Sequence, residues 1–388
     1  MSKRFVRVAC GLLALCLLVA RPAYSASETV VYSFKGGNGD GSDPAAGLIN
    51  IGRALYGTNG EGGPNDVGAV FKVTPKGSET VLYFFQLTDG VGPLGIDPYA
   101  SLIDVGGVLF GTASQGGANG HGAVFSLTKK GKYSVLYSFA GGEDGSYPIA
   151  SLTNVGGLIY GATANGGANG TGAVFTVTQT GAEKVLHSFG SSTDGQNPMA
   201  GLIKVGDDLY GTTYRGGAHG FGTVFKLTPA GKEKVIYSFA GGSSDGANPA
   251  ANLINIGTTL YGTTYAGGSG TTGSCDAGCG TAFKVTLSGE ETVLHLFVSG
   301  NDGANPASGL VNVGGTLYGT TLFGGAKLFG TIFSVTPGGV ENVEYTFLQE
   351  GGDGGGPAGG LINLDGTLYG TTRGGGSFSQ GTVYKFIP

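Results

Sequence analysis

The chain has 388 residues, of which 81 are glycine and none is tryptophan, and only 12% of its side chains are charged. This composition is too apolar and aromatic for a disordered chain and too rich in glycine for helices. It favours short strands joined by tight turns. The formal net charge of −5 argues against nucleic acid or an anionic membrane surface as a partner.

The first 25 residues have the pattern of a secretory signal peptide. Three basic residues precede an apolar run over residues 8–20, which is short for a membrane span, and Ala23-Tyr24-Ser25 offers a small-x-small cleavage signal. We expect a mature chain of residues 26–388 in the periplasm or outside the cell, with no membrane span. Cleavage removes four of the 21 basic residues and no acidic one, which leaves 17 against 26 and a net charge of −9. An uncleaved anchor and a lipoprotein are the alternatives.

The rest of the chain consists of four short sequence words, each present seven times. The word L-Y-G-T recurs about every 50 residues, with its aromatic residue at Tyr56, Phe110, Tyr160, Tyr210, Tyr261, Tyr318 and Tyr369. A glycine that opens a second word, such as G-T-V-F, follows at a constant distance in every copy except the fifth, which is longer. The third word reads E-x-V-L-Y-S-F, and the fourth reads P-x-A-x-L-I.

Each word predicts a β-strand, because its apolar and polar residues alternate with period two and turn residues separate the words. Four short antiparallel strands per repeat predict an all-β, seven-bladed β-propeller. The predicted blades are residues 44–85, 98–139, 148–189, 198–239, 249–297, 306–347 and 357–388. The last blade lacks an outer strand, so we expect residues 28–34 to complete it and to close the ring. A β-helix or open solenoid is the alternative.

These words resemble a known family. The stretches "LYGTTYRGGAHGFGTVFKLTPAGKEKVIYSF" and "DGANPAANLI" are similar to the GloVer tandem repeat of exported bacterial proteins, often called choice-of-anchor proteins. The resemblance covers essentially residues 28–388. It implies an exported repeat protein with a propeller-like fold and no established activity, and it supplies no catalytic residues.

The glycine-rich stretch "GGAHGFG" at residues 216–222 raises the question of a phosphate site. It lacks the lysine of a P-loop, and a strand follows it where a dinucleotide-binding loop would open a helix. We interpret it as a wide turn between the second and third strands of a blade. The fifth copy holds Cys275 and Cys279, for which a local disulfide is the expectation in an exported protein.

An aspartate recurs in the connection from each outer strand to the next inner strand, always before a proline. One interpretation is an Asx-type turn; the other is a ring of carboxylates near the mouth of the channel, able to hold Ca²⁺ or a cationic ligand. No other cofactor is expected. The aspartates are Asp40, Asp89, Asp144, Asp194, Asp245, Asp302 and Asp353.

The face that carries these connections also carries the side chains that vary most between copies. Such positions on a fixed frame suit ligand selectivity, and the best single patch is in copy four. The candidate ligand-binding residues are Tyr214, Arg215, His219, Phe221, His121 and Arg373. His187 and His295 replace the tyrosine of the outer-strand word and are interpreted as packing substitutions. The glutamates of that word, such as Glu183, Glu233 and Glu341, are expected to be solvated.

We therefore expect an exported, monomeric, non-enzymatic propeller that binds a protein, a surface glycan or another copy of itself. A secreted hydrolase or lyase with its site at the channel mouth is the alternative, and a structural or adhesive coat component is a second. The arrangement of the blades distinguishes them. An enzyme concentrates perturbed polar residues in two or three blades around the channel, whereas a scaffold has near-equivalent blades and a plain channel.

Overall fold

A computed structural model of the protein describes residues 27–87, 95–190, 193–270 and 275–388. These residues form seven four-stranded antiparallel sheets that follow each other along the chain, which confirms the predicted seven-bladed propeller. Within the described ranges, no helix has both the length and the apolar character needed to cross a bilayer. The predicted signal peptide, residues 1–25, lies outside the described residues.

The two inner positions of each blade are taken by a short strand beside the channel and a longer strand that carries the L-Y-G-T word. The innermost strands are Ile49–Ile51, Ile103–Val105, Thr153–Val155, Ile203–Val205, Ile254–Ile256, Val311–Val313 and Ile362–Leu364. The second strands are Ala54–Asn59, Val108–Ala113, Leu158–Thr163, Asp208–Thr213, Thr259–Thr264, Thr316–Thr321 and Thr367–Thr372.

The two outer positions follow the same order in every blade. The third strands are Ala69–Val73, Ala123–Thr128, Ala173–Val177, Thr223–Leu227, Thr281–Thr286, Thr331–Val335 and Thr382–Ile387. The outer strands of the first six blades are Glu79–Phe84, Tyr133–Ser138, Glu183–Ser188, Glu233–Ser238, Glu291–Leu296 and Glu341–Thr346.

The N-terminal strand Ser27–Ser33 is the outer strand of the seventh blade. It pairs antiparallel with Thr382–Ile387, in a register that joins Glu28 to Phe386 and Ser33 to Thr382. The predicted ring closure is therefore confirmed, and both edges of what would be an open ring are paired.

The innermost strands begin about five residues later than the P-x-A-x-L-I word predicts. The residues before them line the channel, and their backbone carbonyls accept hydrogen bonds from the preceding blade. The hydroxyl of Thr263, for example, donates to the carbonyl of Ser308 at 3.0 Å, and that of Thr371 donates to the carbonyl of Ala46 at 3.0 Å. The threonine of the L-Y-G-T word thus links neighbouring blades.

Aromatic side chains fill the space between the blades. The phenylalanine that ends each outer strand is fully buried and packs edge-on against the next blade, as Phe189 does on Phe225 with ring centroids 5.1 Å apart. Gly211 of the L-Y-G-T word leaves room for this ring, since a Cβ there would lie 2.8 Å from the Phe225 Cζ. The repeated glycine and phenylalanine therefore form one packing unit.

We call the face that carries the outer-to-inner connections and the glycine-rich turns the loop face, and the opposite one the hairpin face. On the loop face the two kinds of connection pair with each other in short two-stranded ladders. These ladders join Gly41–Ser42 to Glu61–Gly62, Gly195–Gln196 to Arg215–Gly216, Gly246–Ala247 to Ala266–Gly267, and Gly354–Gly355 to Gly374–Gly375. Two short 3-10 turns, Gly37–Gly39 and Gly300–Asp302, lie in the same connections. The loop face is thus braced by backbone pairing.

Candidate functional site

The central channel is a cavity of about 440 Å³ lined by the innermost segments of all seven blades. Its wall near the loop face carries Tyr99, Ile149 and Met199, with alanines at the equivalent positions of the other blades. A second level is small and polar, with glycine, Ser101, Ser151 or Asn252 at each position. Among the described lining residues there is no carboxylate, imidazole, amine or thiol, so the channel wall itself offers no acid or base other than the Tyr99 phenol.

The six described aspartates of the connections do not line the channel. Each accepts hydrogen bonds within its own connection and from the aromatic side chain of the outer strand before it. Asp245 is typical: its Oδ2 accepts from the Tyr237 hydroxyl at 2.9 Å and from the Ala240 N–H at 2.6 Å, and its Oδ1 accepts from the Gly246 N–H at 2.6 Å. These aspartates shape the turn and fix the outer strand. Asp89 lies outside the described residues, and Ca²⁺ binding stays a prediction.

The glutamates that open the outer-strand words are half-buried between blades, so the expectation that they are solvated is wrong. The next blade brings each one against the aspartate of the preceding connection, and its Oε1 atom is buried without a hydrogen-bond partner. Burial, followed by the charge of Asp40, raises the pKa of Glu79 to about 7. Burial and Asp144 do the same to Glu183, and burial and Asp353 raise the pKa of Glu28 to about 8. An aromatic residue, an aspartate and a glutamate thus meet where neighbouring blades touch.

The same contact contains a histidine at two places in the ring. His187 Nε2 lies 3.1 Å from Asp194 Oδ2, and His295 Nε2 lies 2.9 Å from Asp302 Oδ1. Their rings also pack edge-on against the phenylalanine two residues later, as expected of the residues that replace the tyrosine. Packing is therefore only part of their environment, because each imidazole also faces two carboxylates.

The predicted patch of copy four lies on the loop face. Arg215 is exposed and its guanidinium carbon lies 6.0 Å from the centre of the Tyr214 ring. His219 is exposed, and the exposed ring of Phe221 covers Gly241. These four side chains therefore share one accessible turn.

His121, the predicted candidate from copy two, occupies the position of Phe221 in its own turn. Its ring covers Gly141 as Phe221 covers Gly241, and it borders a shallow pocket with Gln115, Tyr147 and Asn165. His219 instead matches Asn119 of the second copy. The two histidines thus lie at different places in their turns and are not brought together as a pair.

Arg373 lies where the seventh, first and second blades meet on the loop face. Its guanidinium binds Asp43 through two hydrogen bonds, Nε to Oδ1 at 2.6 Å and Nη2 to Oδ2 at 2.7 Å. Glu61 and Asp97 lie nearby. Burial, followed by the charge of Asp43, raises the pKa of Glu61, and burial, followed by the charge of Glu61, raises the pKa of Asp97. Tyr99, which lines the channel, has its pKa raised to about 12 by burial and by these carboxylates. Three carboxylates and one arginine thus form an acidic cluster beside the channel mouth.

Further exposed apolar side chains lie on the loop face of other blades. They belong to the glycine-rich turns of blades four, six and seven and to the connection before blade three, and they are Phe221, Phe323, Leu328, Phe329, Phe378 and Tyr147. Cys275 and Cys279 are buried and joined by a disulfide in the longer turn of blade five. Apolar side chains are therefore presented to solvent around much of the ring.

The fold and the repeated blades define a seven-bladed propeller assembled from one tandem repeat. The chain belongs to the Gloeobacter/Verrucomicrobia repeat family, whose model matches residues 19–153, 92–275 and 270–388. No curated protein sequence matches the chain.

Several solved structures are similar to this chain at low sequence identity. A protein of unknown function from Bacteroides thetaiotaomicron VPI-5482 has a TM-score of 0.49 at 12% identity, over 93% of this chain and 76% of its own. A putative 6-phosphogluconolactonase from Bacteroides uniformis ATCC 8492 has a TM-score of 0.51 at 16% identity, over 82% and 88%. A putative gluconolactonase has a TM-score of 0.44 at 12% identity, over 95% and 96%. At these identities the likeness concerns the fold alone.

Sequence reasoning missed the carboxylates between the blades and the acidic cluster around Arg373. The contacts of Glu79 and Glu183 depend on how far one blade reaches over the next, which a pattern within a single repeat does not show. One signal was present: the glutamate recurs at the same place in six of the seven outer-strand words, at Glu28, Glu79, Glu183, Glu233, Glu291 and Glu341. A solvated position has no reason to keep one residue type so regularly within a chain.

Proposed function

We propose that the protein is an exported, non-catalytic binding module that holds a protein partner of the cell envelope on its loop face. The observation that carries this proposal is the contrast between the channel and its rim. Among the described residues, the channel wall has mainly small and aliphatic side chains and no acid–base group beyond Tyr99, whereas aromatic and charged side chains are exposed on the loop face. Enzymatic propellers need converging reactive groups near the axis, and a binding face needs accessible anchors on a rigid frame.

Chemistry favours a protein over a glycan as the partner. Phe221, Phe329 and Phe378 are exposed on blades four, six and seven, so the apolar anchors are spread around the ring instead of lining one narrow cleft. Protein interfaces are enriched in aromatic residues and arginine. The chain has no tryptophan, the aromatic residue with the largest face for stacking on a sugar ring. The acidic cluster around Arg373 adds a place for a basic group of the partner.

Export is supported by the N-terminal pattern of the sequence and by the disulfide between Cys275 and Cys279. Disulfides persist in oxidising compartments and are rare in the cytosol. Neither the repeat family nor the fold neighbours allow an activity to be assigned to this chain. The rival function is lactone hydrolysis, as named for one fold neighbour. The described channel wall offers no paired carboxylates that could act as acid and base in such a reaction.

The test compares binding of the labelled mature chain to cells of the bacterium that encodes it. The loop-face variant Phe221→Ser/Phe329→Ser/Phe378→Ser is expected to bind at least tenfold more weakly, because each change removes an apolar anchor. The control is Val340→Ser, which removes an apolar side chain on the hairpin face that is even more exposed than the three phenylalanines. Both variants should keep the circular dichroism spectrum of the wild type.

Pretreatment of the cells identifies the class of partner. Binding lost after proteinase K and kept after periodate oxidation supports a protein partner, and the opposite pattern contradicts it. Equal loss of binding in the loop-face and hairpin-face variants would place the interface elsewhere. Turnover of glucono-δ-lactone by the wild type would support the enzymatic alternative.

A further inference from the structure

Two of the contacts between blades differ from the others in a way that concerns metal ions. In the contact between blades three and four, His187 and Asp194 meet Glu233. In the contact between blades five and six, His295 and Asp302 meet Glu341. In each group one imidazole nitrogen and two carboxylate oxygens all lie within 4.8 Å of one another. The contacts that contain Tyr32, Tyr137, Tyr237 or Tyr345 have the same two carboxylates but offer a phenol in place of the nitrogen.

We propose that these two groups are zinc-binding sites that join neighbouring blades of the ring. Each site takes three ligands from the protein: a histidine on an outer strand, the aspartate of the connection that follows this strand, and a glutamate from the outer strand of the next blade. Water would complete the tetrahedral coordination that zinc adopts with three protein ligands. The inference is independent of the proposed binding of a protein partner on the loop face.

The geometry is close to that of a bound ion. Zinc binds nitrogen and carboxylate oxygen at about 2.0–2.2 Å, and tetrahedral coordination then places ligand atoms roughly 3.3–3.6 Å from each other. The histidine and aspartate atoms are hydrogen-bonded at 3.1 Å in one group and 2.9 Å in the other, so an ion that replaces the shared proton has to move them apart by only a few tenths of an ångström. The glutamate oxygen lies within 4.8 Å of both and has to approach by about an ångström at most, which a long side chain does by changing its rotamers.

The glutamates of both groups have an unfilled bonding capacity that points to a ligand. The Oε1 atoms of Glu233 and Glu341 are buried and have no hydrogen-bond partner. A buried carboxylate oxygen without a partner is unfavourable. A dication placed between the two carboxylates would supply the missing partner and cancel their charge.

The donor set selects the kind of metal. Calcium and magnesium prefer sites built from oxygen alone, whereas an imidazole with carboxylates suits zinc and its first-row neighbours. The histidine side chains are about one-fifth exposed, so an ion has a path from solvent. The aspartates are held in place by backbone N–H groups, such as Val298 for Asp302 and Gly195 for Asp194, and two of the three ligands therefore sit on fixed supports.

The repeat supplies matched variants for the test. His187→Tyr and His295→Tyr install the residue that other blades use at the same position, so both variants are expected to fold. Tyr237→His creates the reverse change in a contact where Tyr237 donates to Asp245 and Glu291 lies nearby. Zinc binding to the untagged, EDTA-treated mature chain is measured by calorimetry and by metal analysis after dialysis.

The wild type is expected to bind two zinc ions per chain, each single histidine variant one, and the double variant none. Tyr237→His is expected to bind a third. Zinc should also raise the melting temperature of the wild type and leave that of the double variant unchanged. A wild type that binds no zinc, or a double variant that retains both ions, would overturn the proposal.

Discussion

Arg373 and Asp43 are joined by two short hydrogen bonds although 330 residues separate them in the chain. The pair links the last blade to the connection that enters the first, on the loop face where the ring closes. Asp43 is buried, and its backbone has a positive φ of 52°. The chain therefore closes both through the N-terminal strand and through this ion pair.

We expect Arg373→Ala to lower the free energy of unfolding by about 1–3 kcal/mol. The change leaves the buried Asp43 carboxylate without the guanidinium that pairs with it, and an uncompensated buried charge is costly. The guanidinium is itself about half exposed, which places the effect below that of a fully buried pair. Urea unfolding followed by circular dichroism measures it.

Arg53→Ala is the matched control for this prediction. Arg53 and Asp365 join the same two blades through one hydrogen bond of 2.9 Å, but their side chains are 80% and 71% exposed. Exposed ion pairs contribute little, so a change of no more than about 0.5 kcal/mol is expected. Equal losses for both variants would mean that the Arg373 pair is no more stabilising than a surface pair.

The glutamates between the blades make stability depend on pH. The pKa values of Glu79, Glu183 and Glu291 are raised to about 7 by burial and by the neighbouring aspartates Asp40, Asp144 and Asp245. The folded chain therefore keeps protons that the unfolded chain has already released above about pH 4.5. Stability is expected to fall as the pH rises from about 5 to about 8.

The variant Glu79→Gln/Glu183→Gln/Glu291→Gln removes three of these carboxylates and should flatten the pH profile. We expect a gain of about 1 kcal/mol per glutamate at pH 8 relative to the wild type, after allowing for solvent screening at these half-buried positions. Glu290→Gln changes the exposed hairpin residue beside Glu291 and should leave the slope as it is. Chemical unfolding at pH 5, 6.5 and 8 gives the comparison, and a triple variant with the slope of the wild type would contradict the prediction.

The disulfide between Cys275 and Cys279 closes a loop of only five residues. The entropy that such a short cross-link removes from the unfolded chain corresponds to about 2 kcal/mol. We expect Cys275→Ala/Cys279→Ala to lose about that much stability and to keep the fold. Reducing the wild type with dithiothreitol should produce a similar loss, whereas a reduced chain that unfolds completely would show that the bond holds more than its own turn.

The sequence predicted the ring well because everything that defines it lies within one repeat or in the phase of the repeats. Alternation in G-T-V-F and E-x-V-L-Y-S-F indicates strands, and the unpaired word at residues 28–34 predicts the closure. The candidate sites were harder, because they depend on contacts between repeats. Arg373 was predicted as a loop-face candidate without its partner Asp43. Glu233 was predicted to be solvated, because the sequence of a single repeat does not show how closely the next blade packs against it.

The glycines of the turn "GGAHGFG" provide a test of what that turn is for. Gly222 has a φ of +98°, and a Cβ there would lie 2.4 Å from the carbonyl oxygen of Thr213 and 2.7 Å from the Cδ of Pro249. Gly220 also has a positive φ, +81°, but a Cβ there would meet no atom within 4 Å.

Since both substitutions strain the backbone and only one collides with the next blade, we expect Gly222→Ala to lose at least about 3 kcal/mol and Gly220→Ala about 1 kcal/mol. Thermal and urea unfolding of the two variants check this, with a titration of inorganic phosphate that should show no binding to the wild type. Similar stabilities for both variants would contradict the packing role of Gly222. Phosphate binding by the wild type that is lost in Gly220→Ala would show that the turn binds a ligand.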